Sequence, residues 1–436
     1  MALSFPTSRT SFSLKFLLRA FKYRNYRLFF AGQLVSLIGT WLSMVATSWL
    51  VYRLSSDQSQ NPEYNPAFVL GVVGFAGQIP QLILAPLAGV WVDRIPRRAL
   101  LIGTQFLSML QSIGLAVLAL TNTITIPHVI FLNVFQGIVN AFDMPARQAF
   151  VVEMVESRED LPNAIALSSS MVHAARLIGP AIGGYLIYRF GESSCFIVDA
   201  VSYLGVLIAL LFIKVKASKK PISKANVFVE MKEGHDYAWN FKPIRFLLLL
   251  TSATSIFFIS LTTVLPIFAA QILGGGERVY GLLMAASGLG ALIGAIWLAA
   301  RKSVLGLSRV IAYANIGLGL MLLLFGFSQN LSFSLSVLVI SGFCMVAQLA
   351  SSNTVLQTIV DHDKRGRVMS LFGMAFLGMA PIGSLLAGLM AEQIGAPLTI
   401  SSCGAAIMIC GFFFTRQLPM LRDHIRPLYE KLGIYR

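Results

Sequence analysis

The stretch GVWVDRIPRR, residues 89–98, closes one long apolar run and precedes another. It places Asp93 and three arginines, Arg94, Arg97 and Arg98, in a connection of only a few residues. Between two membrane-length segments, so short a connection makes the chain reverse, and its arginines mark the side of the membrane that positive charge prefers. The Asp93 carboxylate could cap a helix end or pair with an arginine. Alternatively, the loop is a solvated basic turn that only anchors two helices.

Composition indicates that the whole chain is a membrane protein. Of 436 residues, 56% are hydrophobic and 12% are charged, and the mean hydropathy is +0.73, which excludes a soluble domain of this length. Each helix needs roughly 20 apolar residues to cross ~30 Å of hydrocarbon. Twelve apolar segments are found, at 28–52, 68–91, 99–120, 127–146, 165–188, 195–213, 244–273, 280–300, 304–327, 332–358, 368–391 and 397–418. The sequence therefore predicts an all-α polytopic membrane protein with twelve transmembrane helices.

The distribution of positive charge predicts the orientation of these helices. The net charge is +15, and the basic residues lie in loops and tails beside apolar segments, which indicates a membrane surface and not nucleic acid. If both termini are inside, all but four of the 34 Lys and Arg residues fall on the inner side. The exceptions are Arg53, Arg189 and Arg278 in outer loops and Arg176 within a segment. We therefore predict a multi-pass protein of the cell membrane with cytoplasmic termini.

The chain divides into two halves of six segments. The predicted parts are a basic cytoplasmic segment at 1–27, a six-helix bundle at 28–213, a cytoplasmic linker with an amphipathic helix at 214–243, a second bundle at 244–418 and a basic tail at 419–436. The two halves also resemble each other weakly. Gly179, Gly184 and Gly191 match Gly383, Gly388 and Gly395 at an offset of 204 residues. Such a repeat is typical of transporters with a substrate site between two related bundles, although glycine-rich apolar sequence also aligns by chance.

Polar residues recur every three or four positions along the first, fourth, seventh and tenth segments. Polar groups inside a membrane are costly, so a shared face indicates a function for them. A common aqueous cavity would account for all four stripes, and its candidate residues are Gln33, Thr40, Asn133, Gln136, Asn140 and Gln348. Polar stripes also hold helices together without any cavity, and the third segment carries a similar stripe.

Three ionisable residues inside the segments are candidates for mechanism. A buried guanidinium at Arg176 needs a partner or a wet cavity, and it could bind an anionic substrate group or pair with Asp199. His173 lies one turn away and could titrate in a proton cycle or simply be hydrogen-bonded. Asp143 faces Arg147 across one turn, as an inner gate or a structural pair. No acid falls clearly at the midplane of the predicted cavity.

Over nearly its whole length the chain resembles the major facilitator superfamily, in the branch of drug and siderophore exporters that includes the enterobactin exporter. The loop at 89–98 matches the motif between the family's helices 2 and 3, except that Pro96 replaces the usual glycine. The resemblance implies two six-helix bundles, the major facilitator fold. It also implies a latch that holds helix 2 against the start of helix 11, near Arg367 and Val368, in the outward-facing state. The latch residues are Gly89, Asp93, Arg94, Arg97 and Arg98.

Two further motifs support this resemblance. Gly179-Pro180-x-x-Gly183 matches the core of the family's antiporter motif, which implies export, although small residues also permit ordinary close packing. Asn133-x-x-Gln136-Gly137 matches the family's Arg-x-x-Gln-Gly motif, with Asn133 in the arginine position. That departure puts the family's proton-linked role for the arginine in doubt here.

The sequence contains no phosphate-binding glycine loop, metal-ligand cluster or nucleophile with a positioned base. We therefore predict no enzyme activity, no cofactor and no metal. The resemblance implies a secondary active transporter that exports an amphipathic small molecule, such as a drug or siderophore, through the lipid bilayer in exchange for protons. Two alternatives remain open at this point: a lipid or lysolipid flippase, and a non-transporting membrane sensor whose output element is the linker.

Overall fold

The computed structural model describes residues 18–57, 65–157, 159–214, 227–301, 303–361 and 364–431. Within these ranges the protein is helical and contains no β-strand. The first half has a short 3-10 turn at Arg19–Lys22 and six long helices. These are α1 (Arg24–Ser56), α2 (Pro66–Arg94), α3 (Arg97–Leu120), α4 (Ile126–Met154), α5 (Leu161–Phe190) and α6 (Glu192–Phe212).

The second half follows a linker helix, Val227–Asn240. Its first four long helices are α7 (Lys242–Ile267), extended by a π-helical turn at Phe268–Ile272, α8 (Gly276–Ala299), α9 (Leu307–Gly326) and α10 (Leu331–Ile359). Helix α11 begins as Arg365–Gly373 and passes through a π-helical turn at Met374–Gly378 into the last helical stretch, Ala380–Lys431. This last stretch also contains α12, so the described residues form twelve spans and confirm the predicted all-helical fold.

Two glycines at matched positions turn the chain between its paired helices. Gly395 divides the last stretch into the end of α11 and α12 (396–431), with φ 80° and ψ 159°. Gly191 joins α5 to α6 with φ 78° and ψ 171°. Residues with a Cβ atom rarely adopt this positive-φ backbone conformation, whereas glycine adopts it without strain. The sequence repeat therefore has a counterpart in backbone conformation.

Local sequence also sets where helices begin. The Asn65 side chain accepts a 2.9 Å hydrogen bond from the backbone N–H of Ala67, with Pro66 in the first turn of α2. Asn330 caps α10 in the same way, accepting from the N–H of Phe333 at 3.1 Å. These caps satisfy N–H groups that the first turn of a helix leaves unpaired.

The two ends of the molecule differ in charge. One end, here called the basic end, carries the 3-10 turn, the α2–α3 connection, the linker helix and the start of α11. The opposite end carries the turns at Gly191 and Gly395. Each long helix runs between these two ends.

The halves pack closely toward the opposite end. A Cβ atom added to Gly184 of α5 would lie 2.9 Å from the Cα of Gly281 on α8. A Cβ atom added to Gly71 of α2 would lie 2.8 Å from the Cα of Gly388 on α11. Real Cβ atoms do not approach so closely, so glycine permits both crossings. Gly184 and Gly388 are equivalent in the repeat, so the α5–α8 contact and the α2–α11 contact between the halves are formed by equivalent glycines.

Aromatic contacts add to this closure. Trp49 of α1 stacks on Tyr280 of α8 with ring centroids 6.2 Å apart. The Arg278 guanidinium lies 4.9 Å from the ring centroid of Tyr188 on α5. These residues are all near the opposite end, so the two halves are in close contact there.

Candidate functional site

A cavity of about 460 Å³ lies between the two halves, with walls from helices of both. Five predicted cavity residues line it: Thr40, Asn133, Gln136, Asn140 and Arg176. The rest of the wall is largely apolar and aromatic, with contributions such as Trp41, Met44, Phe258, Met284, Met345 and Phe376. A cavity of this kind suits an amphipathic organic molecule.

The structure corrects the prediction for two other residues. Gln33 and Gln348 are not among the lining residues and are only 2% and 1% exposed. Gln348 donates to the hydroxyl of Ser352 one turn further along α10, at 3.5 Å. Both side chains are buried away from the cavity, and the side-chain nitrogen of Gln33 has no hydrogen-bond partner in the described structure. A stripe read from sequence does not show where the cavity ends and the packed interface begins.

Hydrogen bonds fix the polar wall on α4. The side-chain nitrogen of Gln136 donates to Ser108 of α3 and to Asn140 of α4, each at 3.0 Å. Ser108 belongs to the polar stripe on α3, which therefore bonds to the α4 stripe. Asn133, in the position of the family's arginine, also lines the cavity.

Arg176 faces the cavity from the middle of α5. Its guanidinium lies 5.7 Å from the ring centroid of Trp41 and 3.5 Å from the Ser287 hydroxyl of α8. The pairing with Asp199 that the sequence left open is not formed; among the described residues, no carboxylate is within ion-pair distance of Arg176. A guanidinium stacked on an aromatic ring retains donors for a ligand.

Asp199 of α6 also lines the cavity, and sequence reasoning missed this role. Its carboxyl group is 2% exposed and accepts a 2.7 Å bond from Ser112 of α3. The sequence indicated no acid clearly at the midplane of the cavity, and the structure adds Asp199 to the cavity wall. A usable signal was present: Asp199 and Tyr203 stand one helical turn apart on α6, and both reach the cavity wall.

The other two titratable candidates lie elsewhere. Asp143 is 3% exposed and accepts from Thr104 at 2.8 Å and Gln105 at 2.7 Å, in addition to its ion pair with Arg147. This satisfied cluster ties α4 to α3. His173 is half-buried, is not a lining residue and has no hydrogen-bond partner at Nδ1 in the described structure.

The arginines of the 89–98 motif bond within the first half. Arg97 pairs with Glu153 of α4 at 2.7 Å. Arg98 donates to the carbonyl oxygens of Leu210 and Leu211, at 2.7 and 2.9 Å, where α6 ends. Arg94 is exposed. The placement of Gly89 and of the Asp93 side chain is outside what the structure describes.

The predicted docking region for Asp93 is engaged by another element. Arg367, near the start of α11, forms a 2.6 Å ion pair with Glu233 of the linker helix. Tyr237 of the same helix donates to Asp361 at 3.1 Å. The linker helix therefore packs against the segment to which the latch was assigned.

The antiporter motif occupies a crowded crossing. A Cβ atom added to Gly179 would lie 3.2 Å from the carbonyl oxygen of Ile38 on α1, and one added to Gly183 would lie 3.4 Å from Leu42. The carbonyl oxygen of Pro180 would lie 2.6 Å from a Cβ added to Gly281. The motif thus packs α5 against α1 in its own half and against α8 in the other.

Two related helical halves around a central cavity that combines polar and apolar walls define a membrane transporter. The fold matches solved transporters. The human organic anion transporter MFSD10 superposes with TM-score 0.63 and 17% identity, covering 89% of this chain and 99% of that one. A POT family transporter in complex with a conjugated peptide superposes with TM-score 0.70 and 14% identity, covering 91% of this chain and 96% of that one. At such identities the likeness concerns the fold alone.

The transmembrane secretion effector family matches residues 18–427, and the chain belongs to this family of the major facilitator superfamily. Its relatives include transporters that are named for a siderophore or for drug and macrolide efflux. The staphyloferrin A transporter of Staphylococcus aureus is 26% identical over 399 residues, covering 90% of this chain and 96% of that protein. The multidrug efflux pump Tap of Mycolicibacterium fortuitum is 25% identical over 393 residues, covering 88% and 93%. The macrolide efflux protein A of Streptococcus pyogenes is 24% identical over 385 residues, covering 86% and 92%.

Proposed function

We propose that the protein exports an amphipathic small molecule by alternating access, driven by proton antiport. The observation that carries this proposal is a polar and aromatic cavity between two halves whose tight contacts lie toward one end. Membership of the secretion effector family, and relatives named for drug and macrolide efflux, support the same direction of transport.

We assign the basic end to the cytoplasm of a cell-membrane protein, because positively charged loops remain on that side. In this orientation the glycine crossings at Gly184 and Gly71 close the outer side. The structure then represents an inward-facing state, in which cargo reaches the cavity from the cytoplasm. Rocking of the halves would open these crossings and expose the cavity outward.

Arg176 is proposed as the cargo-binding cation of this cavity. It lies beside Trp41, and no described carboxylate neutralises it. An unpaired cation in a spanning segment is costly, so an anionic or carbonyl group of the cargo would be favoured there. The aromatic and methionine wall would receive the apolar body of the same molecule.

Asp93 is proposed as the latch for the outward-facing state. A carboxylate is favoured at a helix N-terminus, and the start of α11 near Arg367 provides one. In the present state Glu233 of the linker helix holds Arg367. The latch would therefore form only after the halves have moved.

The experiment is flux in sealed proteoliposomes with an imposed pH gradient. The panel contains amphipathic dyes, macrolides and catecholate siderophores, and Asp93→Asn is measured in parallel. We expect gradient-dependent flux that Asp93→Asn slows while its melting temperature stays unchanged. Ligand binding without flux in folded, oriented protein would instead support the sensor, and movement of labelled lysolipid without flux of the panel would support the flippase. Full wild-type flux in Asp93→Asn would remove the latch from the mechanism.

A further inference from the structure

Asp199 is a deeply buried carboxyl group with one unused oxygen. Oδ2 accepts from the Ser112 hydroxyl at 2.7 Å, whereas Oδ1 has no hydrogen-bond partner. A Cβ atom added to Gly39 would lie 2.8 Å from Oδ1, so this oxygen points toward the backbone of α1. The residue is 2% exposed and forms part of the cavity wall.

The helices around Asp199 offer it no cation. On α1 the cavity wall beside it is formed by the hydroxyls of Thr40 and Ser43, and on α3 by Ser112 and Gln111. The charged residues of α1 and α3 lie near the helix ends, where Arg53 pairs with Glu192 and Arg97 with Glu153.

The remaining titratable neighbours are also uncharged or engaged elsewhere. Tyr203 and Cys195 accompany Asp199 on α6, where Glu192 pairs with Arg53 at the opposite end. On α5, Arg176 lines the same cavity but contacts Trp41 and Ser287, and His173 lies outside the cavity wall. Among the described residues, none forms an ion pair with Asp199.

An ionised carboxylate buried in this way requires a positive partner, because isolated charge in a spanning segment is costly. Two partners can reach the cavity: a proton and a cationic ligand. Both would neutralise the same carboxylate, and only one can do so at a time.

We propose that Asp199 is an exchange site that holds either a proton or the cationic nitrogen or phosphonium of the cargo. This inference rests on the proposed antiport function and names its coupling residue. It also assigns a chemical class to part of the cargo, namely amphipathic cations. Arg176, further along the same cavity, would bind a different, electron-rich part of such a molecule.

The exchange step balances in charge and protons. In the inward-facing state the O–H bond of the Asp199 carboxyl group breaks, the proton passes to cavity water on the cytoplasmic side, and the cargo cation pairs with the resulting carboxylate. In the outward-facing state the cargo leaves and one proton from the outside re-forms the O–H bond. One cation leaves the cell for each proton that enters, so the cycle moves no net charge.

The first test uses purified full-length protein and tetraphenylphosphonium as the probe. For wild type we expect affinity to increase with pH, by up to about tenfold per pH unit, because the proton and the probe compete. Binding in weakly buffered solution should release about one proton per bound probe. A wild-type protein that releases no proton, or does not bind the probe between pH 6 and pH 9, would overturn the inference.

Isosteric variants locate the site. Asp199→Asn keeps an acceptor for Ser112 and should bind the probe weakly, without pH dependence or proton release. Asp199→Glu should restore the pH dependence of binding and the proton release, with the affinity changing over a different pH range. A merely structural residue would not show this shift. Glu430→Gln, on the exposed α12 tail, is the control for removing an acid. Proton release that persists in Asp199→Asn would exclude this residue.

Vesicle flux separates this inference from the function on which it rests. Wild type should transport tetraphenylphosphonium with a pH gradient and remain indifferent to an imposed membrane potential. If wild type transports nothing on the panel, the antiport proposal fails, even where Asp199-dependent proton release is retained. If wild type shows gradient-driven flux and Asp199→Asn retains it, only the exchange site fails.

Discussion

Arg367 at the start of α11 donates a 2.6 Å hydrogen bond to Glu233 of the linker helix, and the two side chains form an ion pair. The linker helix also packs its backbone against this arginine, since a Cβ atom added to Gly234 would lie 2.9 Å from the Cβ of Arg367. Tyr237 adds a cation–π contact with Lys364 at 4.5 Å. The segment that joins the halves is therefore fastened to one helix of the second half.

Replacing Glu233 with Gln should loosen the linker helix without unfolding the protein. The pair is partly exposed, so its loss should cost at most about 1 kcal/mol. We expect faster backbone hydrogen exchange over 232–240 and an almost unchanged melting temperature. Glu430→Gln, which breaks the exposed pair with Arg426 on α12, is the matched control. Unchanged exchange in Glu233→Gln would mean that packing at Gly234 alone fixes the helix.

Substituting Gly184 with Ala should open the end of the molecule opposite the basic end, which we assign to the outside. The new methyl group would lie 2.7 Å from the carbonyl oxygen of Glu277 and 2.9 Å from the Cα of Gly281, an overlap that costs on the order of 1–3 kcal/mol. Because this contact exists only between the halves, the outward-open population should increase.

Spin labels at Phe190 and Phe327 measure this effect. Both positions are highly exposed, at 66% and 67%, and both lie at the opposite end, in different halves. Gly184→Ala should lengthen the distance between them. Gly205→Ala is the control, since a Cβ added there meets no atom within 4 Å. A distance distribution identical to wild type in Gly184→Ala would show that this crossing does not limit opening.

Replacing Arg176 with Ala should weaken the binding of anionic members of the panel. A hydrogen bond to a charged group contributes about 1.5–3 kcal/mol, which corresponds to a loss of about tenfold to a hundredfold in affinity. Arg176→Lys should recover part of it, because the charge remains while the planar contact with Trp41 is lost. Equilibrium dialysis measures both variants. Arg416→Ala removes a guanidinium that stacks on Phe412 of α12, away from the cavity, and should bind normally.

The contact between the N-terminal turn and the α4–α5 loop should weaken in acid. A hydrogen bond from Lys22, and then one from Tyr23, holds the pKa of Asp160 below its ordinary value. A depressed folded-state pKa stabilises the fold above the unfolded-state value of about 3.9, and this contribution is lost as pH falls further through the folded-state pKa. Asp160→Asn should therefore lower the melting temperature more at pH 7 than at pH 2.5. An equal decrease at both pH values would assign the effect to packing.

Much of the fold follows from sequence because its signals are local. Apolar run lengths give twelve spans, and the glycine repeat at Gly184 and Gly388 corresponds to the two crossings that close the interface. The linker helix was also expected from the 214–243 stretch and is present over Val227–Asn240.

The cavity could be predicted only in part, because its wall depends on the rotation and tilt of each helix. Gln136 and Arg176 line the cavity, whereas Gln33 and Gln348 are buried away from it. For Asp199 the sequence left open a pairing with Arg176, because it shows the approximate depth of a residue in the membrane but not the direction of its side chain. Its actual partner, Ser112, comes from a helix outside the four predicted polar stripes.

The single-residue turn at Gly191 has a mechanical consequence. It leaves no slack between α5, which carries Arg176, and α6, which carries Asp199. If the first half tilts as proposed, these two side chains would move together, because a single residue joins the helices that carry them. Cargo would therefore experience a nearly constant pattern of charges throughout its passage, and only the facing wall, on the second half, would change around it.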